Sequence, residues 1–490
     1  MSAETLAQVG AVIAGVGLAA LLLGRHRVLR LAGIAAWGVG LVLFFPLLAP
    51  SGSTVRLVAA GVAGLVIAAG LAFLFRRYPW ALGFMTLAAA PARFPVHVGG
   101  TSANLLVPLY AIIGGAVLAL AWDLWRGPAP QRRELGALAW PLALLVLWFG
   151  ISLIWSEDLR QGSITLFFFI FPFGALAPVL ARLPWSRRAV AGLYGLLAAM
   201  AVLFAAVGVW QWVTRDVFWN PKVIVSNAYA PFYRVNSLFW DPSIYGRFLV
   251  LAILASVALL LFRATTVPLQ EVLLGVLVVA LWIGLFFSFS QSSFVALGLG
   301  VVLIAALAWR WRAAMAVAVV AAVMIPVGVA APQLHNVRHT LVGSSAGGIT
   351  RATGGRWGLM VNGLRIAKDH PVAGVGIGGF TKAYAERRAG AHKHIPKAAS
   401  HNTPITVVSE TGVIGLGLFV WLLVAAVLVA FRGNNAFATV PARTATIAGI
   451  LFVAIVIHSQ FYNAFFEDPL TWSLLALAAL AARSRELEPA

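Results

Sequence analysis

Long uninterrupted apolar runs recur from one end of this 490-residue chain to the other, and they constrain its fold more than any other feature. Most are close to the ~20 residues that a helix needs to cross the ~30 Å hydrocarbon core of a bilayer. We count fourteen or fifteen of them, at about 5–23, 31–49, 57–75, 79–92, 104–122, 136–155, 162–181, 189–213, 243–262, 268–287, 292–309, 313–331, 410–431, 444–463 and 469–482. The run at 79–92 and the last one are short enough to be re-entrant or tilted.

Composition supports the same fold class, because 61% of the residues are hydrophobic and only 10% are charged. A soluble protein would have about a quarter of its residues charged. We therefore predict an all-α, polytopic helical membrane protein with about 14 transmembrane helices. The absence of cysteine excludes disulfides, cysteine-ligated zinc, iron–sulfur clusters and thiol nucleophiles.

The loops between the runs alternate in charge, and this alternation predicts a topology. Arginine-rich loops such as "GRHRVLR", "RGPAPQRRE" and "RLPWSRR" fit the cytoplasmic side, whereas "APSGS", "SEDLR" and "NAFFED" are poorer in basic residues or contain acids. The pattern predicts an outer N-terminus, an inner C-terminus and two long outer segments, at 214–242 and 332–409. We expect one membrane domain, 1–490, whose larger outer loop forms an ordered helical cap.

The larger outer segment is basic, with ten Lys or Arg residues against two acidic ones, Asp369 and Glu386. Long loops are translocated largely regardless of charge, so the topology stands, and a basic outer surface suits an anionic ligand. The net charge of +20 could also indicate nucleic-acid binding. No recognition helix, aromatic stacking platform or basic arm supports that function, and contact with anionic lipid headgroups explains the excess charge.

Within this segment the sequence predicts local order. "RWGLMVNGLRIAKDHP" indicates an amphipathic helix over about 355–369, ended by His370-Pro371, and a more polar helix follows around 380–390. Between them "GVGIGG", residues 374–379, matches G-x-G-x-x-G, but a dinucleotide site needs a preceding strand. We therefore interpret these glycines as a tight turn that lets the backbone pass close to a neighbour or ligand.

Two arginines lie near a membrane boundary in "FYRVNSLFWDPSIYGRFLV", residues 232–250. Arg234 precedes the span, and Arg247 falls about a turn into it, where a guanidinium is costly and usually faces a cavity or a partner. Both could instead belong to an interfacial aromatic belt with snorkelling arginines, so the residues alone leave both interpretations open. Asp241, before Pro242, is expected to cap the helix that follows.

Other polar candidates lie in the last third of the protein. "FSFSQSSFVALG", residues 287–298, contains Gln291 and serines that either hydrogen-bond between helices or line a cavity. Arg356 stands at the start of a predicted helix, where a phosphate could use both its guanidinium and free backbone N–H groups. Arg365 follows nine residues later on the same predicted helix and points to the opposite side from Arg356. Contact with headgroups accounts for Lys368.

"SHNTPITVVSETGVIGLGLF", residues 400–419, leads from the basic segment back into an apolar run. Ser400 or Asn402 can cap a helix, and Glu410 begins the next predicted span. His401 can act as a general base near neutral pH, taking a proton from a hydroxyl nucleophile. A single histidine is more often structural, and this segment contains several others, so chemistry alone does not assign His401 a role.

This stretch resembles the H-N-x-x-[small or apolar run]-E-x-G-x-x-G signature of the O-antigen ligase and O-antigen polymerase superfamily. The upstream "GRWGLMVNGLRIAKDHPVAGVGIGGF" is similar to the family's R-x-x-x-[helix]-P-[L/V]-x-G-x-G-x-x-F stretch. "RVNSLFWDPSIYGRFL" is similar to its R-x-x-G-x-F-x-D-P-N-x-x-A segment. The three motifs occur in the family's order and spacing, and the resemblance covers about 230–420.

The resemblance implies a membrane glycosyltransferase that needs no metal or other cofactor. It would transfer a glycan from a polyprenyl diphosphate carrier to a hydroxyl of a lipid, polymer or protein acceptor, on the outer face of the cytoplasmic membrane. His401 would be the general base, and Arg234 and Arg356 would bind the diphosphate. Inversion at the anomeric carbon is expected. The remaining substrate-binding candidates are Arg247, Arg365, Gln291, Asn402 and Glu410.

The chain also departs from the family pattern, and other functions remain to be weighed. Gln291 stands where many relatives have an arginine, and Arg247 could supply that charge. A polymerase that lengthens a lipid-linked glycan would use the same residues as a ligase. A transporter should show pseudo-symmetric halves and intramembrane charges coupled to an ion, but the sequence shows no such repeat and its distinctive charges cluster on one side.

Overall fold

The computed structural model describes residues 1–49, 54–98, 101–127, 133–218, 220–229, 233–264, 267–309, 356–388, 400–433 and 435–485. The predicted span at 313–331 lies outside the described residues, as do residues 332–355 and 389–399 of the larger outer segment.

Helices make up most of the described chain. In order they are α1 Ala3–Leu23, α2 Arg27–Leu48, α3 Thr54–Arg77, α4 Trp80–Ala89, α5 Val107–Arg126, α6 Gly136–Trp155, α7 Leu159–Ala181, α8 Arg187–Thr214, α9 Pro221–Tyr229, α10 Pro242–Leu261, α11 Pro268–Ser288, α12 Gln291–Trp309, α13 Arg356–Asp369, α14 Phe380–Arg388, α15 Thr403–Phe431, α16 Val440–His458 and α17 Pro469–Ser484. Among the described residues, eleven of these are long and apolar enough to cross a membrane: α1, α2, α5, α6, α7, α8, α10, α11, α12, α15 and α16. The predicted all-α membrane fold is confirmed.

Two local features differ from the sequence-based expectation. A small antiparallel hairpin, β1 Phe94–Val98 and β2 Thr101–Leu105, precedes α5 and was not predicted. The span expected from about 410 begins at Thr403, because Asn402 caps the helix there with its side chain. Gly412, with φ 67°, then kinks α15 just after Glu410. The predicted helices at 355–369 and 380–390 are both present, as α13 and α14.

The described chain forms two compact units. Unit 1 comprises Met1–Ser186, Leu359–Gly433 and Asn463–Pro489, and unit 2 comprises Arg187–Gly358 and Asn434–Tyr462. In unit 1, α1 and α2 approach backbone to backbone, since a Cβ at Gly10 would lie 2.6 Å from the Gly40 carbonyl oxygen. Lipid provides no hydrophobic driving force between helices, so membrane helices associate through close packing, which small residues allow.

A buried carboxylate, Glu134, links several segments of unit 1. Its Oε1 is 2.7 Å from Nη1 of Arg30 and 3.6 Å from Nη1 of Arg182. Arg483 donates to the Glu134 backbone carbonyl at 2.9 Å and to that of Ala181 at 2.6 Å. Arg30 is 1% exposed and Glu134 is 8% exposed, so this ion pair is removed from water. These arginines come from the loops predicted to be cytoplasmic.

Glu134→Gln should strongly destabilise unit 1, because it leaves the buried guanidinium of Arg30 without its counter-charge. Breaking a buried pair from one side typically costs about 3–5 kcal/mol of the free energy of unfolding. The measurement is thermal unfolding of the purified protein in nanodiscs. Asp123→Asn is the control, since Asp123 pairs with Arg76 at 3.3 Å with both side chains more than 40% exposed, and such pairs contribute about 1 kcal/mol or less. Equal shifts in both variants would contradict this account of Glu134.

Unit 2 is organised around α10, which is buried along most of its length and packs against α8, α11, α12 and α16. Aromatic rings hold its first half, with Phe248 5.3 Å from Phe204 and 5.5 Å from Phe239 between ring centroids. The Tyr245 hydroxyl donates to the Gly284 carbonyl of α11 at 3.2 Å. The N-terminal turns of α10, which carry Arg247, are therefore held firmly in place.

Candidate active site

His401 lies in a tight turn immediately before α15, with a left-handed backbone at φ 57°. Ser400 Oγ donates to the Asn402 carbonyl at 2.8 Å, and the Asn402 N–H donates back to Ser400 Oγ at 3.1 Å. Asn402 Oδ1 then accepts the Ile405 N–H at 2.9 Å, as an N-cap. Both neighbours of His401 are buried while His401 is partly exposed. The turn is thus fixed from both sides.

Asn402 and Glu410 have structural partners of their own in unit 1. Asn402 caps α15, and the next residue, Thr403, donates to Asn463 Oδ1 at 3.0 Å. The Glu410 carboxylate accepts backbone N–H groups of Gly378 and Phe380, the latter at 3.3 Å. The Asn402 side chain therefore stabilises the backbone next to the His401 turn, and the Glu410 side chain stabilises the backbone of the glycine-rich loop.

The glycine-rich loop 374–379 is a site of close backbone approach. Gly374, Gly376 and Gly378 all have positive φ, at 68°, 82° and 80°. A Cβ at Gly376 would overlap the Ser156 backbone, and one at Gly374 would overlap the backbone at Glu410. Helix α13, not a strand, precedes the loop. The tight-turn interpretation is confirmed, and the G-x-G-x-x-G match reflects packing between this loop, the α6–α7 corner and α15.

Gly376→Ala should therefore destabilise unit 1 by about 2 kcal/mol or more, because it adds backbone strain to a steric overlap. Gly417→Ala in α15 is the matched control, since a Cβ there meets nothing within 4 Å. That variant should unfold at the wild-type temperature or slightly above it, because alanine is the better helix former. The measurement is the thermal unfolding temperature of both variants in nanodiscs. If Gly376→Ala unfolds at the wild-type temperature, the loop can shift to make room for the added Cβ.

The other described residues of the predicted outer segment 332–409 that belong to unit 1 form a charged surface. Arg365 and Lys368 are exposed on α13, and Arg387 of α14 pairs with Asp369. Burial raises the pKa of Glu157, the nearby charge of Glu386 raises it further, and His370 and Lys382 oppose the shift. Arg365 thus lies on an exposed basic surface together with Lys368, for which contact with lipid headgroups is predicted.

In unit 2, Arg234 is held by its backbone and its Nε and presents its terminal nitrogens. The Arg234 N–H donates to Asn227 Oδ1 at 3.0 Å, and Asn227 Nδ2 donates to the Arg234 carbonyl at 2.8 Å. The Nε of Arg234 donates to the Ser288 carbonyl at 3.2 Å. Burial lowers the pKa of Arg234, Asp241 raises it, and the charge of Arg356 lowers it further. Among the described residues, none accepts a hydrogen bond from its Nη groups. Arg234 and Arg356 are therefore close enough for their charges to interact.

Arg247 and Gln291 occupy contrasting environments. Arg247 is 2% exposed in the second turn of α10, whereas Gln291 is exposed at the first residue of α12. Asp241 caps α10 as predicted, accepting the Ser243 N–H at 2.7 Å. The serines near Gln291 are buried and hydrogen-bonded to one another, so they belong to the interior of unit 2.

His458, the last residue of α16, was not among the residues predicted from the sequence. Its side chain is fully buried, and its Nε2 lies 3.0 Å from Ser292 Oγ. Arg247 and Arg356 are both close enough to interact with it electrostatically. An ionisable residue inside a span is a functional candidate by default, and that signal could have identified it.

These features define a helical membrane protein that carries neighbouring arginines in unit 2 and a histidine in a fixed turn of unit 1. Residues 276–420 match the family model described as O-antigen ligase. This part of the chain is therefore similar to the O-antigen ligase family, and the match supports a membrane glycosyltransferase of the O-antigen ligase type. No curated protein matches the chain.

Proposed function

We propose that this protein transfers a glycan from a polyprenyl diphosphate carrier to an acceptor hydroxyl on the outer face of the cytoplasmic membrane. The observation that carries the proposal is the pair of neighbouring arginines, Arg234 and Arg356, in a partly buried setting. Two like charges repel each other there unless an anion lies between or beside them. A diphosphate at headgroup depth supplies that anion, and its polyprenyl chain remains in the bilayer.

The reaction is a substitution at the anomeric carbon of the donor sugar. The acceptor oxygen forms a bond to this carbon while the bond from carbon to the phosphate oxygen breaks. The electron pair leaves with the polyprenyl diphosphate, and His401 takes the proton of the acceptor hydroxyl. Arg234 and Arg356 stabilise the charge that develops on the leaving diphosphate, so no metal is needed. Attack opposite the leaving group inverts the anomeric configuration.

The supporting residues take roles that follow from their contacts. Asn402 fixes the turn that carries His401, and Glu410 holds the glycine-rich loop. Arg247 supplies a buried positive charge in place of the arginine that many relatives have at the Gln291 position. Arg365 provides positive charge on the exposed surface of α13, where anionic headgroups or the carrier phosphate can bind.

The test uses the full-length protein in nanodiscs with a short glycan on polyprenyl diphosphate. Release of free polyprenyl diphosphate is followed with and without candidate acceptors, for wild type and His401→Ala. The proposal expects release that depends on the acceptor and vanishes in the variant. Elongated lipid-linked glycan as the product would identify a polymerase, and glycan on a different acceptor would identify a ligase. Carrier translocation without any release would overturn the proposal in favour of a transporter.

A further inference from the structure

His458 occupies a position that requires hydrogen bonding. It ends α16, its side chain is 0% exposed, and it packs on the Tyr462 ring at 5.8 Å between centroids. A polar ring in such surroundings is costly unless its nitrogens are hydrogen-bonded. Its Nε2 lies 3.0 Å from Ser292 Oγ. His458 therefore reaches from α16 to the turn between α11 and α12.

That turn, residues 288–293, is held by a chain of serine hydroxyls. Ser292 Oγ is 3.1 Å from Ser290 Oγ, which also accepts the Ser293 hydroxyl at 2.8 Å. The Ser290 N–H donates to Ser288 Oγ at 3.2 Å. All four serines are at most 4% exposed. A buried chain of hydrogen bonds thus runs from His458 through the Ser292 and Ser290 hydroxyls, and its last link is the Ser290 N–H to Ser288 Oγ.

The backbone of the turn is strained and so depends on this path. Phe289 has φ 46°, a left-handed conformation that costs a bulky residue of order 1–3 kcal/mol and persists only when its surroundings enforce it. A Cβ at Gly246 of α10 would lie 2.6 Å from Ser293 Oγ, so α10 packs directly on the turn. The position of Ser288 is therefore set by the serine chain and the helices packed around it.

Ser288 is also the residue that holds Arg234. Its carbonyl accepts the Arg234 Nε at 3.2 Å, and the adjacent Phe287 carbonyl accepts the Val235 N–H at 3.1 Å. The direction of the Arg234 guanidinium is consequently set by the carbonyl of Ser288, the residue whose hydroxyl ends the chain of hydrogen bonds.

We propose that His458 is a positioning residue which, through Ser292 and the serine turn, orients the guanidinium of Arg234 toward the diphosphate of the lipid carrier. This inference rests on the proposed function, because it assumes that Arg234 binds the diphosphate. His458 touches no substrate in this scheme. It acts by keeping one carbonyl, that of Ser288, in the place where it accepts the Arg234 Nε.

The experiment measures binding of polyprenyl diphosphate without a glycan to the full-length protein in nanodiscs, together with thermal unfolding. His458→Ala should weaken binding about tenfold, the equivalent of losing one hydrogen bond to a charged group. His458→Gln should restore most of the affinity, since its amide nitrogen can reach Ser292. Ser292→Ala, a small change that is expected to fold, should reproduce the loss of His458→Ala.

Thr446→Val is the matched control, because Thr446 is a buried residue of the same helix whose hydroxyl donates to the Ala442 carbonyl of α16 at 2.9 Å. It should bind polyprenyl diphosphate like wild type. In an Arg234→Ala background, His458→Ala should add less than about a twofold loss, because the two residues act in series. The inference is wrong if the losses of affinity from Arg234→Ala and His458→Ala multiply in the double variant. It is also wrong if His458→Gln binds polyprenyl diphosphate as weakly as His458→Ala.

The same measurements separate this inference from the proposed function. If Arg234→Ala weakens binding but His458→Ala and Ser292→Ala do not, the positioning role fails and the diphosphate role of Arg234 stands. If Arg234→Ala itself leaves binding unchanged, both fail together.

Discussion

His401→Asn should lower the rate of acceptor-dependent glycan transfer by about 10²–10⁴-fold, the usual contribution of a general base. Asparagine is chosen because His401 has a left-handed backbone at φ 57°, and asparagine tolerates that conformation as well as histidine does. The turn formed by Ser400 and Asn402 should therefore keep its geometry. A loss of rate then reports the missing imidazole and not a rearranged backbone.

The measurement is the rate of polyprenyl diphosphate release at saturating donor, with thermal unfolding measured in parallel. His370→Asn is the control, an exposed histidine at the end of α13 in the same outer segment. It should transfer glycan at the wild-type rate. If His401→Asn retained more than about a tenth of the rate, the base would have to be another group.

The fold was largely predictable, because spans in a bilayer are set by length and hydrophobicity alone. Two local features do not follow from length and hydrophobicity. The start of α15 at Thr403 depends on the side chain of Asn402 as a cap, and "TPITVVSE" is too polar for a hydropathy scan to include it. The β1–β2 hairpin is held by backbone hydrogen bonds between its two strands, and a search for long apolar runs does not detect them.

The candidate residues were also found from sequence, but their contacts were not. Motif order pointed to His401, Arg234 and Arg356, whereas the left-handed turn at His401 depends on hydrogen bonds of Ser400 and Asn402. Glu410, which is predicted to bind substrate, accepts a backbone N–H of Phe380 next to the glycine-rich loop, a contact that the motif did not reveal. His458 is 166 residues from its partner Ser292, a separation that no local pattern can bridge.

The Arg234 side chain should contribute the second large effect. Arg234→Ala should reduce glycan transfer by about 10²–10³-fold, the range seen when one preorganised donor to developing negative charge is removed. It should also raise the KM for the lipid-linked donor and weaken competitive inhibition by inorganic pyrophosphate. Arg234→Lys should recover only part of the loss, because a single ammonium cannot donate to the Ser288 carbonyl and also present a planar pair of donors to a diphosphate.

The matched control for Arg234 is Arg215, an exposed arginine of the same predicted outer segment. Its guanidinium stacks on Trp212 and Tyr233, at 4.7 and 5.0 Å from the ring centroids. Arg215→Ala removes the same charge from the same segment and should leave both KM and pyrophosphate inhibition unchanged. Equal losses in the two variants would mean that general positive charge attracts the donor. A loss confined to Arg234, with lysine only partly active, requires a guanidinium held in a defined direction, as its Nε contact to Ser288 provides.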